Sequence, residues 1–305
     1  MNKLLETIIE NNRVWTEKGK VATYIPELSK ANPRHLGIAV YTVDNEEYFA
    51  GDYDVKFTMQ SISKVVALML ALLDNGKEIV FSKVDMEPTA DTFNSISSLE
   101  TRTPNKPLNP MINSGAIVTS SLINGRNGDE VIEKFLKFTR KITNNPHIEI
   151  NYDVYKSEKE TGHRNRSLAY YMKSIGIIEG DVEEALDVYF KQCSIEVTCK
   201  DIARIGAMLA NDGVLPWNGE RVIPRHVARI VKTIMLTCGM YDASGEFAVK
   251  VGVPGKSGVG GGILASVPSR MGIGVFGPAL DSKGNSIGGW KVLEEVSREL
   301  DLSIL

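Results

Sequence analysis

The residues with the clearest capacity for chemistry are Ser61 and Lys64, in the run Ser61-Ile62-Ser63-Lys64. Residues three apart share one face of a helix. A serine hydroxyl is a poor nucleophile until a neighbour takes its proton, and a lysine can do so if burial disfavours its ammonium form. The apolar run Val65-Val66-Ala67-Leu68-Met69-Leu70 supplies such surroundings. A helix N-terminus at Ser61 would also favour developing negative charge. On these four residues alone a serine cap followed by a solvated lysine is the plainer reading.

A second candidate is Lys256-Ser257-Gly258-Val259-Gly260-Gly261-Gly262. Glycines let backbone N–H groups approach and point at an anion. A phosphate loop is excluded by order, because its Lys-Ser/Thr follows the glycines and opens a helix. A glycine-rich turn at a sheet edge without function is the plainer alternative. Ser-x-x-Lys early and Lys-Ser/Thr-Gly late is, however, a combination found in penicillin-recognising serine acyl enzymes, and it implies acyl transfer through a serine ester. A histidine-based triad finds no support. The four histidines are His35, His147, His163 and His226, and no Gly-x-Ser-x-Gly occurs. The three cysteines, Cys193, Cys199 and Cys238, form no Cys-x-x-Cys pair or zinc pattern and are read as buried apolar residues.

The elements that must hold these groups follow from periodicity. Leu4 to Trp15 has a helical pattern. Leu36 to Val43 and Glu47 to Ala50 predict a hairpin of strands around Asp44-Asn45. Gln60-Ser61 leads into an apolar helix to about Leu73, with Gly76 as its stop. Thr101 to Pro110 is a proline-rich loop. Helical patterns fill Ile112 to Gly213, including Val131 to Ile142, Ser167 to Ile175, Val182 to Gln192 and Lys200 to Ala210. Another opens at Pro224. Phe247 to Val251, Gly262 to Val267 and Met271 to Phe276 are predicted strands, and Gly288 to Leu300 a closing helix. Strands at both ends and helices between predict an α/β (α+β) fold with an antiparallel sheet flanked by helices and a mostly helical subdomain. The expected division is a single domain over 1–305, with a sheet lobe from about 1–60 and 240–305 and a helical lobe of about 61–239.

The chain has 305 residues, 43% hydrophobic and 24% charged, with a formal net charge of -3. That is ordinary for a globular enzyme and argues against nucleic acid and membrane surfaces as partners. No apolar run approaches the roughly 20 residues of a membrane span. No secretion signal is visible, and an odd cysteine count fits a reducing compartment, so a cytoplasmic location is expected.

Several longer stretches carry a specific resemblance. They are Tyr24-Ile25-Pro26-Glu27-Leu28, Gln60-Ser61-Ile62-Ser63-Lys64, Asn109-Pro110-Met111-Ile112-Asn113-Ser114-Gly115-Ala116-Ile117, and Ser157-Glu158 with Arg164-Asn165. Tyr189-Phe190 before Cys193-Ser194-Ile195-Glu196-Val197-Thr198, Cys238-Gly239-Met240-Tyr241-Asp242, and Lys256-Ser257-Gly258-Val259 complete the set. In this order, over nearly the whole chain, they resemble the serine-dependent glutaminases of β-lactamase/transpeptidase-like fold, in their bare bacterial form. The resemblance implies hydrolysis of L-glutamine to L-glutamate and ammonia through a γ-glutamyl ester on Ser61. It implies catalytic roles for Ser61, Lys64 and Tyr241, and an oxyanion hole from the N–H groups of Ser61 and Val259. It assigns Glu158 to the substrate ammonium, Asn113 and Asn165 to its polar end, and Tyr24 and Tyr189 to the pocket wall. It implies no metal, no cofactor and a homo-oligomer, dimer or tetramer. Two features depart from β-lactamases: no Ser-Asp-Asn element occurs, and the third motif is Lys-Ser-Gly. A penicillin-binding or β-lactamase activity, or a non-catalytic amino-acid-binding module, are the rival expectations.

Overall fold

The computed structural model describes residues 1–101 and 105–305, so part of the Thr101 to Pro110 loop lies outside the described residues. The chain opens with α1 (Asn2–Asn12), shorter than its apolar pattern, because Arg13–Glu17 tighten into a 3₁₀ turn. The β-branched run then forms β1 (Gly37–Thr42), joined to β2 (Glu47–Gly51) by a turn in which Asn45 has φ 67°. Short β3 (Phe57–Thr58) and a 3₁₀ turn, Gln60–Ile62, lead into α2 (Ser63–Lys83). Gly76, at φ 77°, interrupts α2 without ending it. The middle of the chain is helical: α3 (Ser97–Thr101), α4 (Asn113–Ser121), α5 (Gly128–Thr143), α6 (Tyr152–Thr161), α7 (His163–Ser174) and α8 (Val182–Cys193). After β4 (Glu196–Val197) come α9 (Cys199–Ala210), α10 (Arg225–Cys238) and α11 (Ser244–Lys250). The chain closes with β5 (Gly255–Ser257), β6 (Gly262–Val267), β7 (Met271–Phe276) and α12 (Ile287–Leu300).

Five strands form one antiparallel sheet in the order β2-β1-β7-β6-β5, and β3 and β4 pair as a separate ribbon. All six residues of β1, β6 and β7 are buried, which is what a sheet covered on both faces requires. Alternation along β1 sorts the faces. Ile38 and Val40 join a core with Leu5, Ile8, Trp290, Leu293 and Val296 of α1 and α12. Ala39 and Tyr41 face the other way, into a core with α2, α9 and α10. Each fully buried Ile or Leu there stabilises the fold by roughly 2 kcal/mol. The helix α9 lies directly on the sheet. A Cβ on Gly272 of β7 would collide with the backbone of Ala203 and Ala207, so only glycine permits that approach.

The segment Phe247 to Val251 is not a strand. It lies in and just after α11. Phe247 packs edge-on against Trp290, Val251 is buried, and Val249 between them is 88% exposed. Residues buried four apart follow helical spacing, which a five-residue window cannot separate from a short buried strand. Lys256-Ser257, expected just before a strand, themselves form the edge strand β5, paired with Leu264 and Ile263. No described helix is long and apolar enough to cross a membrane.

Candidate active site

The route to Ser61 is set by two pairings and one strained residue. The ribbon pairs Phe57 with Val197 and Thr58 with Glu196, and the Met59 N–H donates to the Ile195 carbonyl at 2.8 Å. Gln60 then adopts φ 48°, a left-handed conformation that a non-glycine residue holds only where its surroundings enforce it. That reversal delivers Ser61 to the 3₁₀ turn in front of α2 rather than into the helix itself. Ser63 fixes the turn by donating its hydroxyl to the Gln60 carbonyl at 2.7 Å.

One turn on, Lys64 is fully buried. Its Nζ donates to the Met111 carbonyl at 3.1 Å and to Asn113 Oδ1 at 2.7 Å. Burial pulls its pKa down to about 8, against the opposing pull of Cys193 and Glu158. The loop before α4 is shaped for this contact. Asn109 Oδ1 accepts from the N–H groups of Met111 and Ile112, and its Nδ2 donates to the Glu87 carbonyl. Asn113 also donates Nδ2 to Asn165 Oδ1 on α7 at 2.9 Å, so a lysine and two asparagines form one chain across three helices.

Strand β5 and its glycine loop close the other side. A Cβ on Gly258 would stand 2.6 Å from the Met59 carbonyl oxygen and 3.5 Å from the Ser61 nitrogen, so this backbone lies directly against the serine turn. Among the described residues, neither the Ser61 N–H nor the Val259 N–H donates to a protein acceptor. Tyr241, at φ 57°, enters beside Val259. Its hydroxyl donates to the Ser257 carbonyl at 3.1 Å. Burial raises its pKa, and the neighbouring Ser61 side chain offsets part of that rise. Lys256 lies beneath the Tyr241 ring, with Nζ 4.5 Å from the centroid, and donates to the carbonyls of Gly239 and Ser257. Burial, reinforced by Lys64, holds the Lys256 pKa well below its usual value.

Glu158 on α6 and Tyr189 on α8 are buried, and Asn165 on α7 is half-buried. Glu158 Oε2 accepts from Gln60 Nε2 at 3.4 Å. Burial pushes its pKa up to about 8, with Gln60, Lys64 and Cys193 pulling the other way. Burial also raises Tyr189, with Cys193 and Glu158 adding to the effect. Tyr24 is 55% exposed as a residue, but its hydroxyl end lies near Tyr241, Glu158 and Cys193, and burial there raises its pKa. The Glu27 N–H donates to Ser157 Oγ at 3.3 Å, which ties the Tyr24 segment to α6. The expected residues therefore converge from both halves of the sequence. Three residues given no role by the sequence also belong to the cluster: Gln60, Lys256 and Cys193. Gln60 adjoined Ser61, and Lys256 opened the glycine-rich motif already singled out. Cys193 offered its place one turn after Tyr189, in a stretch that carries the resemblance.

Such an arrangement suits acyl transfer at a small polar substrate. It has a serine one helical turn from a buried lysine, two backbone N–H groups without protein acceptors among the described residues, two asparagines hydrogen-bonded to that lysine and to each other, and a buried carboxylate.

Comparison with known proteins agrees. The glutaminase family model matches residues 19–305. A glutaminase of Clostridium botulinum (strain Kyoto / Type A2) is 68% identical over 304 residues, covering 100% of both chains. The structure of a probable glutaminase from Bacillus subtilis, complexed with 6-diazo-5-oxo-L-norleucine, superposes with TM-score 0.92 at 44% identity, covering 100% of this chain and 97% of that one. A structure of the Bacillus subtilis glutaminase in covalent complex with 5-oxo-L-norleucine, formed by reaction with the diazo compound, gives TM-score 0.92 at 43% identity, covering 100% and 99%. The chain belongs to the glutaminase family, whose reaction is hydrolysis of the side-chain amide of L-glutamine to L-glutamate and ammonia.

Proposed function

We propose that this glutaminase works through a γ-glutamyl ester on Ser61. Lys64 takes the Ser61 proton as Oγ bonds to the side-chain carbonyl carbon of glutamine. The carbonyl oxygen becomes an oxyanion held by the N–H groups of Ser61 and Val259, each worth about 3 kcal/mol in comparable sites. The C–N bond then breaks, and the departing nitrogen takes a proton passed from Lys64 through the Tyr241 hydroxyl, leaving as ammonia. Water attacks the ester, gives its proton back along the same path, and glutamate leaves with Ser61 restored. Glu158 pairs with the substrate α-ammonium, Asn113 and Asn165 hold its polar end, and Tyr24 and Tyr189 wall the pocket.

The observation that carries this reading is the environment of Lys64. A neutral amine has two N–H bonds and one lone pair. Lys64 is buried, one turn from Ser61, and donates to two carbonyl oxygens. Those two acceptors match a neutral amine and leave its lone pair for the serine proton. The covalent adduct of the Bacillus subtilis relative supports an enzyme nucleophile in the family.

The same membership supports a β-lactamase/transpeptidase-like arrangement, with Ser-x-x-Lys facing an edge-strand Lys-Ser-Gly. We read residues 1–305 as one domain, with α9 crossing from the helical stretch onto the sheet. A homo-oligomer, dimer or tetramer, in the cytoplasm completes the reading; sedimentation analysis tests the assembly. For the mechanism, the protein is inactivated with 6-diazo-5-oxo-L-norleucine and its peptides are mapped by mass. The label is expected on Ser61, and a label on any other residue overturns the assignment.

A further inference from the structure

Tyr241 holds φ 57°. In this left-handed conformation the Cβ of any residue but glycine crowds the following carbonyl oxygen, and the strain persists only where the surroundings impose it. Two anchors stand on either side. Upstream, Gly239 is packed on the edge strand β5. A Cβ there would collide with the Gly255 carbonyl oxygen, and the Gly239 carbonyl accepts from the Ser257 N–H at 3.1 Å and from Lys256 Nζ at 3.0 Å. Within a few residues the chain must leave the sheet edge and enter α11. Downstream, Ser244 fastens that reversal. Its Oγ accepts from the Met240 N–H at 3.0 Å and donates to the Tyr241 carbonyl at 2.9 Å. Serines commonly donate to the carbonyl three residues back. Ser244 does more, because a single buried hydroxyl holds the backbone before and after the strained residue.

The backbone conformation decides where the tyrosine points. The Tyr241 hydroxyl donates to the Ser257 carbonyl at 3.1 Å. Its ring centroid lies 4.5 Å from Lys256 Nζ and 4.8 Å from the centroid of the Phe93 ring. Those neighbours shape the slot for the ring, but the direction of the Cα–Cβ bond is set by the main chain. A return to ordinary negative φ would swing Cβ and carry the hydroxyl out of the slot.

We propose that Ser244 is a positioning residue for the reaction, holding Tyr241 in the left-handed conformation that keeps its hydroxyl at the reacting end of the site. The proposal rests on the relay role given to Tyr241 above and adds the group that fixes the geometry of that relay. Ser244 acts through Tyr241, so its removal slows turnover and leaves substrate binding almost untouched.

The test uses steady-state kinetics with L-glutamine on full-length variants, with thermal melting of each. Ser244→Ala is expected to lower kcat about tenfold or more, the scale of a misplaced reacting group, with KM within about twofold. Ser244→Thr keeps the hydroxyl and is expected to stay within about threefold of the parent. In a Tyr241→Phe background, Ser244→Ala lowers kcat by no more than about twofold, because the relay it aims is already gone. A merely structural serine would lower the melting temperature without this split between kcat and KM, and its effect would add in full to that of Tyr241→Phe. If Ser244→Ala melts below the assay temperature, Ser244→Cys, a weaker donor and acceptor, takes its place in the same comparisons. A kcat for Ser244→Ala within twofold of the parent overturns the proposal, as does Ser244→Thr behaving like Ser244→Ala or full additivity with Tyr241→Phe. If Tyr241→Phe itself leaves kcat unchanged, the role of Tyr241 fails and the inference falls with it. If Tyr241→Phe lowers kcat while Ser244→Ala does not, the inference alone fails.

Discussion

Around Ser61 the protein works with backbone, and around Glu158 it works with side chains. The end proposed to react is framed by Gln60 and Tyr241, both at positive φ, and by a glycine loop pressed against the serine turn. The end proposed to recognise sits on regular helices, with Glu158 on α6, Asn165 on α7 and Tyr189 on α8. Stabilising an oxyanion requires N–H groups fixed before the charge appears, and strained turns hold them so. Recognising a charged amino acid requires charge and hydrogen-bonding reach, which helix-borne side chains supply without strain. Buried charge connects the two ends. Lys64 and Glu158 are each shifted by burial to about 8 and each opposes the other's shift.

That contrast can be broken, starting at the reacting end. Ser61→Ala is expected to lower ammonia release from glutamine by at least roughly a thousandfold while the protein stays folded; turnover within tenfold of the parent would contradict it. Lys64→Met should cost about a thousandfold in kcat. It also leaves Asn113 Oδ1 without its donor, so the melting temperature should fall by an amount matching about 1–3 kcal/mol. Gly258→Ala drives a Cβ to 2.6 Å from the Met59 carbonyl. The resulting displacement of the Val259 N–H should cost about a hundredfold in kcat with KM little changed. An unchanged kcat would mean that the loop does not set the donor.

At the recognising end, Glu158→Gln should act on KM, raising it about tenfold or more through loss of the charge pair. The pH profile sharpens the distinction. In the proposed mechanism Lys64 must be neutral to act as base, and Glu158 must be ionised to hold the ammonium. Both forms gain as pH rises through about 8, so kcat/KM of the parent should climb steeply there. In Glu158→Gln one titration is gone, so the climb becomes shallower. Because the Glu158 charge raises the Lys64 pKa, it also moves to lower pH. A profile identical to the parent's would uncouple the two groups.

The sequence shows these two ends unequally. The strands β1, β2, β6 and β7 were legible because β-branched residues, or the aromatic pair Tyr48-Phe49 in β2, cluster between turn signals. The segment Phe247 to Val251 was not, since two apolar residues four apart serve helix and strand alike over so short a span. Ser61 and Lys64 carried a mechanism in their spacing, and the glycines of 258–262 announced a close backbone approach. Glu158, Asn165 and Tyr189 carried none by themselves. Each lies on a separate helix, and only the packing of α6, α7 and α8 brings them together, so a family resemblance was needed to name them. Gln60 went without a role for a related reason. Its part depends on where a neighbour's polar atom ends up, and no local pattern encodes that.

The pairing of β1 with β7 has a temporal side. Thr42 lies opposite Met271, so most of the chain separates two adjacent strands of the sheet centre. Such distant pairing is slow to form and waits for synthesis of the last quarter of the polypeptide. Val259 and its N–H lie in that same late stretch. A growing chain on the ribosome thus carries Ser61 and Lys64 long before it carries the Val259 N–H, the second donor of the proposed oxyanion hole. On that reading the enzyme becomes competent only when its sheet is closed, and chains terminated before β5 are expected to be inert.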